Sequence, residues 1–527
     1  MRRRRATAES SLLSRRAAAL VCGLAFVLSA CGGANAGPGT TASAPVSGGE
    51  LTVAVDSEPV SFDVHVSPQD ITGEILRHVV DSLVSVDADG RFTPWLASSW
   101  DVAPDLKSYT FHLRDGVKFT DGTPFDAAAV KANFDRIANP ATKSQLAASL
   151  LGPYAGTEVV DPRTAKVSFT APFAPFLQGA STPYLGFYSP KTLADNADKL
   201  GGGGAVEVGT GPFTFTEYTK GQNLVLTRNA DYNWAPTGAA HTGAAYLDKL
   251  TVRFLSEDSV RVGALTSGQV QVARAISPVD VKNLEADQSV GLLKNDVPGG
   301  NYNIYLNASK APFDDPLVRK AIQRGIDLDQ AVKTVYFGQY KRAWSPLSPS
   351  TTGYDATLEN SWPHDAAEAA KLLDQAGWTG KDADGYRTKN GARLVVKWPV
   401  MPPPYLREQR DVLGQAIQAD LKKLGVEVVR DQPDIGTYIK QVYGGQTDFT
   451  DYSWNRFEPD VLWLFFNSAS QPGKGGQNAT FTQDAELDQL TESARGSADP
   501  AARAGAYAKV QRRATVDLAL GTRSTRR

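Results

Sequence analysis

The residues able to do chemistry are few, and their spacing does not suit turnover. Five histidines, His65, His78, His112, His241 and His364, stand singly along 527 residues. No two of them have the short spacing with which imidazoles share a metal ion. The two cysteines, Cys22 and Cys31, both fall within the first 31 residues, so the rest of the chain has no thiol for catalysis, ligation or a disulfide. No G-x-S-x-G elbow occurs, and the glycine run at 201–204 lacks the Lys-Ser/Thr that would make it a phosphate loop. Acidic residues are plentiful, 57 in all, so a carboxylate pair is the one catalytic device that counting leaves open. That keeps a secreted hydrolase of peptides or glycans as an alternative, one that needs two titratable groups converging in a cleft. The pattern otherwise points to binding, with no metal and no cofactor implied.

The thiols have a different use. Residues 2–5, 15 and 16 are all Arg, and residues 17–30 form an apolar stretch shorter than the roughly twenty residues that span a bilayer. That layout is a secretory signal. Leu28-Ser29-Ala30-Cys31 resembles the bacterial lipobox, which implies a signal peptide over 1–30 and a lipidated Cys31 as the first residue of the mature chain. Ser14-Arg15-Arg16 leaves the general and the twin-arginine export routes both open. Residues 31–48, rich in Gly, Ala, Ser, Thr and Pro, read as a lipid-anchored flexible tether. Losing six Arg and one Glu with the signal takes the formal charge from −2 to about −7. An acidic chain without a basic tract excludes nucleic acid as a partner, and the lipid is the expected membrane attachment. The place implied is the outer face of the bacterial cytoplasmic membrane, and without disulfides the body there must be held by burial.

The elements beyond the tether mix strands and helices. "ELTVAV" alternates Leu51, Val53 and Val55 as a half-buried strand would. "KSYTFHLRDGVKF" sets Tyr109, Phe111 and Leu113 on one face and turns at Asp115-Gly116. In "DGTPFDAAAVKANFDRI" Asp126 caps a helix with Val130, Phe134 and Ile137 at helical spacing. Asp365 caps a second helix, with Glu368 three residues on, Leu372 and Leu373 facing inward and Gly377 ending it. A third carries Leu413, Ile417, Leu421 and Leu424 as a core stripe, stops at Gly425, and leads into a strand at 426–429. The end of the chain, "AYAKVQRRATVDLALGTRSTRR", runs a helix into an apolar stretch at 516–520 and then a basic tail.

Several of these segments together resemble the extracytoplasmic solute-binding proteins of family 5, which serve peptide, opine and nickel ABC importers. The stretch "LASSWDVAPDLKSYTFHLRDGVKFTDGTPFDAAAVKANFDR" carries the strongest likeness. "GTGPFTFTEYTKGQNLVLTRNADYNW", "YLNASKAPFDDPLVRKAIQRGIDLDQAV", "AAKLLDQAGW" and "GYRTKNGARL" extend it, and "YSWNRFEPDVLW" falls at the family's ligand-facing loop. The resemblance implies an α/β, two-lobed periplasmic-binding-protein-like fold of class II with an extra subdomain on the first lobe. Residues 49–80 and 205–275 would form the first lobe, 81–204 the subdomain and 276–513 the second lobe. Residues 514–527 would be an aberrant end of the first lobe, a truncated or frame-shifted terminus by comparison with the family.

The function implied is capture of a small solute between the lobes and delivery to permease subunits driven by cytoplasmic ATPases; a non-transport receptor or chaperone on the same fold is the other alternative. The solute would be peptide-like, an opine, a chelate or an oligosaccharide. The expected ligand contacts are Glu58, Asn303, Tyr452, Ser453, Trp454, Asn455 and Arg456. Peptide-binding members place an aspartate three residues before the Asp/Glu-Pro step, where it pairs with the peptide's ammonium. Counting back from Glu458-Pro459 places Asn455 there. Asparagine cannot neutralise an ammonium, and an inward Arg456 would repel one, so ordinary free-amine peptides are expected to bind weakly.

Overall fold

The first strand packs the expected face of Leu51, Val53 and Val55 on one core. In the computed structural model, which describes residues 45–403, 406–474 and 476–524, β1 (Glu50–Val55) runs parallel to two neighbours at once. At its end the other face is covered too, where Ala54 packs with Ala264 and Val270, so Ala54 and Val55 are both buried. The signal, Cys31 and the tether as far as residue 44 lie outside the described residues. The described residues from 47 onward form one body.

After β1 the chain forms α1 (Asp70–Leu76) and then β2 (Ala97–Val102) and β3 (Ser108–Leu113). Burial alternates along β3 as expected, with Tyr109, Phe111 and Leu113 inside. Helix α2 (Ala127–Ala138) starts where predicted: the Asp126 carboxylate accepts from Ala129 N at 2.9 Å. With β4 (Tyr154–Asp161) and β5 (Thr164–Phe169) these strands make a four-stranded antiparallel sheet of order β2-β3-β5-β4. One aromatic-rich core, including Phe111, Phe134 and Phe176, belongs to this subdomain.

The chain then returns to the first sheet. Strands β6 (Phe213–Thr219), β7 (Asn223–Arg228), β8 (Lys249–Phe254) and β9 (Val272–Ala273) complete the order β9-β1-β8-β7-β6. Phe62, Leu76, Phe215 and Leu226 fill its core. This five-stranded sheet is the frame of the first lobe.

The second lobe is built on β10 (Gly299–Leu306), buried along its whole length. Around it pack α3 (Pro316–Gly325), α4 (Ala366–Gln375), the parallel pair β11 (Val395–Lys397) and β12 (Glu427–Val429), and α5 (Arg410–Lys423). Asp365 caps α4 through Glu368 N, and Leu373 is buried while Leu372 is half-buried. Leu413, Ile417, Leu421 and Leu424 all enter the core, and Gly425 turns the chain with φ +85°. Next come α6 (Ile435–Tyr443) and β13 (Phe449–Asn455), the latter antiparallel to β10.

The terminus corrects an expectation. Helix α7 (Pro500–Arg512) leads through a five-residue π turn into β14 (Gly521–Ser524), which pairs with β10 on the edge opposite β13. Residues 521–524 therefore join the second lobe's sheet and not the first lobe. The backbone donors and acceptors of β10 select this partner, since a buried central strand leaves none of them unpaired. Buried Leu520 and Ala519 seat the strand beside the core of Phe465 and Tyr507.

Candidate functional site

Strand β13 reaches the boundary of the two lobes at its C-terminal end, and its pairing with β10 there is tight. Gly299 opposes Asn455 and has φ +110°, and a Cβ on it would meet Arg456 N and Trp454 O at 2.3 Å. Only glycine fits both demands. A register shift between Gly300 and Asn303 breaks the ladder at the same place, as bulges do where side chains must be re-aimed.

A cavity of about 720 Å³ opens beside this end of β13 and takes its walls from both lobes, a size within the range of small-molecule sites. Tyr452, Ser453, Trp454 and Asn455 line it. The Tyr452 ring stacks on Tyr305 at 4.4 Å between centroids, and its hydroxyl donates to Gln477 O. Ser453 Oγ accepts from Arg410 Nη2 at 2.9 Å. Asn455 Nδ2 lies 3.5 Å from Asp70 Oδ2 on the opposite lobe.

Three expected contacts do not line it. The Glu58 carboxylate accepts from Tyr218 OH at 2.6 Å and Gly221 N at 2.7 Å, so it ties the β6–β7 turn to the first lobe. Asn303 is buried on β10 and donates to Tyr305 OH at 3.0 Å and to Pro346 O at 3.3 Å. Arg456 points neither inward nor to the rim. It is buried, its Nη2 donates to Ser149 Oγ of the subdomain at 2.6 Å, and burial pulls its guanidinium down to about 10. Arg456 follows the last residue of β13, lies 5.9 Å over the Trp454 ring, and is held at the subdomain by Ser149.

Of the charged groups that line the cavity, Asp70, Arg407 and Arg410 were not among the expected contacts. Asp70, on α1 of the first lobe, faces Arg407 of the second, with Oδ1 to Nη1 at 3.4 Å. Arg274 joins them at 3.0 Å from Asp70 and 2.9 Å from Glu74, and Asp56 lies 3.8 Å from both guanidiniums. Three carboxylates and two guanidiniums thus meet where the lobes touch. Burial, against the pull of Arg274, raises the Glu74 carboxyl above its ordinary value.

Arg410, the first residue of α5, lies 4.5 Å over the Tyr302 ring and donates to Glu408 Oε2 at 2.8 Å. Burial pulls its guanidinium down, but Glu408 and Tyr302 more than offset that and hold it above its ordinary value. Behind it, buried Asp451 is fully engaged: Oδ1 accepts from Trp398 Nε1 and Oδ2 from Tyr302 OH, each at 2.7 Å. Sequence carried one sign of this group. Two arginines stand at the start of α5 in "PYLREQRDVL", the end of a helix where the dipole disfavours cations. The backbone before Arg410 is also strained, because Glu408 and Gln409 both have positive φ, 57° and 53°. Such strain in non-glycine residues clusters at binding sites.

The arrangement can clamp a solute that presents anionic groups to Arg407 and Arg410. Among the described residues no group of three or more His, Cys, Asp or Glu is placed to hold a metal ion, and no helix is long and apolar enough to cross a membrane.

Comparison with known proteins agrees with this layout. The profile described as "Bacterial extracellular solute-binding proteins, family 5 Middle" matches residues 91–476. Di/tripeptide-binding protein 2 of Pseudomonas aeruginosa (strain UCBPP-PA14) is 30% identical over 498 residues, covering 88% of this chain and 87% of the relative. The glutathione-binding protein GsiB of Escherichia coli (strain K12) is 27% identical over 470 residues, covering 88% and 86%. Among solved structures, the ABC transporter-associated periplasmic binding protein DppA from Helicobacter pylori, in complex with peptide STSA, superposes with TM-score 0.77 at 26% identity. That match covers 91% of this chain and 94% of the other. The binding protein AgaA of A. tumefacien R10, in complex with agropinic acid, gives TM-score 0.75 at 26% identity, covering 90% and 92%.

Proposed function

The chain belongs to family 5 of the bacterial extracellular solute-binding proteins, and from that premise we propose that it captures a short peptide-like carboxylate between its lobes for an ABC importer. It is a binding protein and not an enzyme. One observation carries the ligand class: the cavity shared by both lobes sets Arg407 and Arg410 from the second against Asp70 from the first. A solute that touches both lobes binds the closed form better than the open one, and that difference drives closure. A carboxylate beside Arg410 makes a charge-assisted hydrogen bond, stronger than a neutral one. Asn455 supplies no charge for an ammonium. N-blocked or otherwise modified peptides are therefore the preferred form. The similarity to proteins named for di/tripeptides and for glutathione supports the same class.

Native mass spectrometry of the chain purified from its own host tests this. The expected result is one small solute per chain, released on unfolding and bearing at least one carboxylate. A retained solute with no anionic group would overturn the proposal.

The permease subunits and their cytoplasmic ATPases are the partners this role requires. Attachment to the membrane through an acylated Cys31 is part of the same proposal, resting on the Leu28-Ser29-Ala30-Cys31 motif. Two or more acyl chains give stable anchoring where one does not. Cys31→Ser should therefore move the chain from the membrane fraction to the soluble one with its folded body intact. Persistent membrane association of that variant would mean a second attachment.

A further inference from the structure

Helix α6 borders the cavity with an apolar face. Ile435, Tyr438, Ile439, Val442 and Tyr443 all line it, at the i, i+3, i+4, i+7, i+8 spacing of one helix face. In a core helix such a stripe is covered by protein. Here Tyr438 and Val442 are buried, yet Ile435, Ile439 and Tyr443 remain 41%, 46% and 39% exposed. The Tyr443 hydroxyl donates to Gln477 Oε1 at 3.1 Å, which fixes the ring beside the cavity. Val60, 64% exposed, lines the same cavity from the first lobe.

We infer that α6 is the specificity-determining wall of the ligand site, and that the solute carries a large branched or aromatic apolar group that packs on Ile435, Ile439 and Tyr443. The inference rests on the peptide-like ligand proposed above. Its occupant follows from continuity: the uncovered face is a wall of the ligand cavity, so the solute held there is what meets it. A polar group set against this wall would lose water without gaining a partner. An apolar group removes the remaining exposed area of two isoleucines and a tyrosine from water.

The test uses the full chain and an equimolar library of N-acetyl tripeptides built from Ala, Ser, Leu and Phe, read by native mass spectrometry. Peptides with at least one Leu or Phe should be retained in about thirtyfold excess over those of Ala and Ser alone, within the range that added apolar groups give in a hydrophobic pocket. In the I435S/I439S variant the excess should fall below about threefold, while I439M, which keeps an apolar wall, should preserve it. Thermal melts confirm that the variants fold. Equal retention of both peptide classes by the unaltered chain overturns the inference alone and leaves the α6 face to a second protein. An unchanged preference in I435S/I439S overturns it too. Retention of no peptide at all overturns the peptide-like reading, and this inference with it.

Discussion

Asp451→Ala should lower the stability of the second lobe by about 3 to 5 kcal/mol, the cost of breaking a buried charged network by removing one member. The carboxylate accepts from Trp398 Nε1 and from Tyr302 OH, each at 2.7 Å, and is 5% exposed. Truncation leaves two buried donors without acceptors, each worth about 1 to 3 kcal/mol, and opens a void beside Trp398. Both donors belong to large aromatics already fixed by cations, Arg430 lying 4.2 Å over Trp398 and Arg410 4.5 Å over Tyr302. Relaxation is therefore restricted. Asp451→Asn should cost less, since one oxygen still accepts, but the amide then meets a donor with a donor. Denaturant unfolding followed by tryptophan fluorescence measures both variants. A loss under about 1 kcal/mol for Asp451→Ala would show that water replaces the carboxylate and that the network is not dry.

How legible this was in the sequence depended on whether a feature was local. Caps, turns and stripes are local, so Asp126 and Asp365 cap their helices and Leu413, Ile417 and Leu421 are buried as read. Of the contacts the family resemblance implied, Tyr452, Ser453, Trp454 and Asn455 line the cavity between the lobes. What failed was anything set by a partner distant in sequence. Glu58 is drawn to Tyr218, 160 residues on, and Arg456 to Ser149, 307 residues earlier. Either residue, taken with its neighbours alone, looks free to face a ligand. Asp70 was overlooked for the converse reason. An acid in the first turn of a helix has an ordinary local role, and only the approach of the second lobe gives it Arg407. The stripe on α6 is legible as an amphipathic helix, but sequence cannot say that its apolar face borders a cavity.

Arg410→Ala should weaken binding of a carboxylate ligand by about two powers of ten, and the loss should depend on the carboxylate being there. Arg410 lines the cavity, is 9% exposed, and is held by Glu408, Ser453 and the Tyr302 ring. A guanidinium already ordered and dehydrated gives up little on meeting an anion, so most of the bond is realised as affinity. Truncating one partner of such a pair costs about 2 to 5 kcal/mol, and about 3 kcal/mol corresponds to the two powers of ten. Arg410→Lys should recover part of it, because an ammonium keeps the charge but not the planar pair of donors. A simple fall in affinity would not separate this role from support of Tyr302, so the informative comparison is between N-acetyl-Ala-Leu-Ala and its C-terminal amide. Calorimetry on the unaltered chain should favour the acid by about a hundredfold. In Arg410→Ala that preference should nearly vanish. Were the variant to lose affinity for acid and amide alike, Arg410 would be holding β13 and Tyr302 in place, and the anion would be left to Arg407.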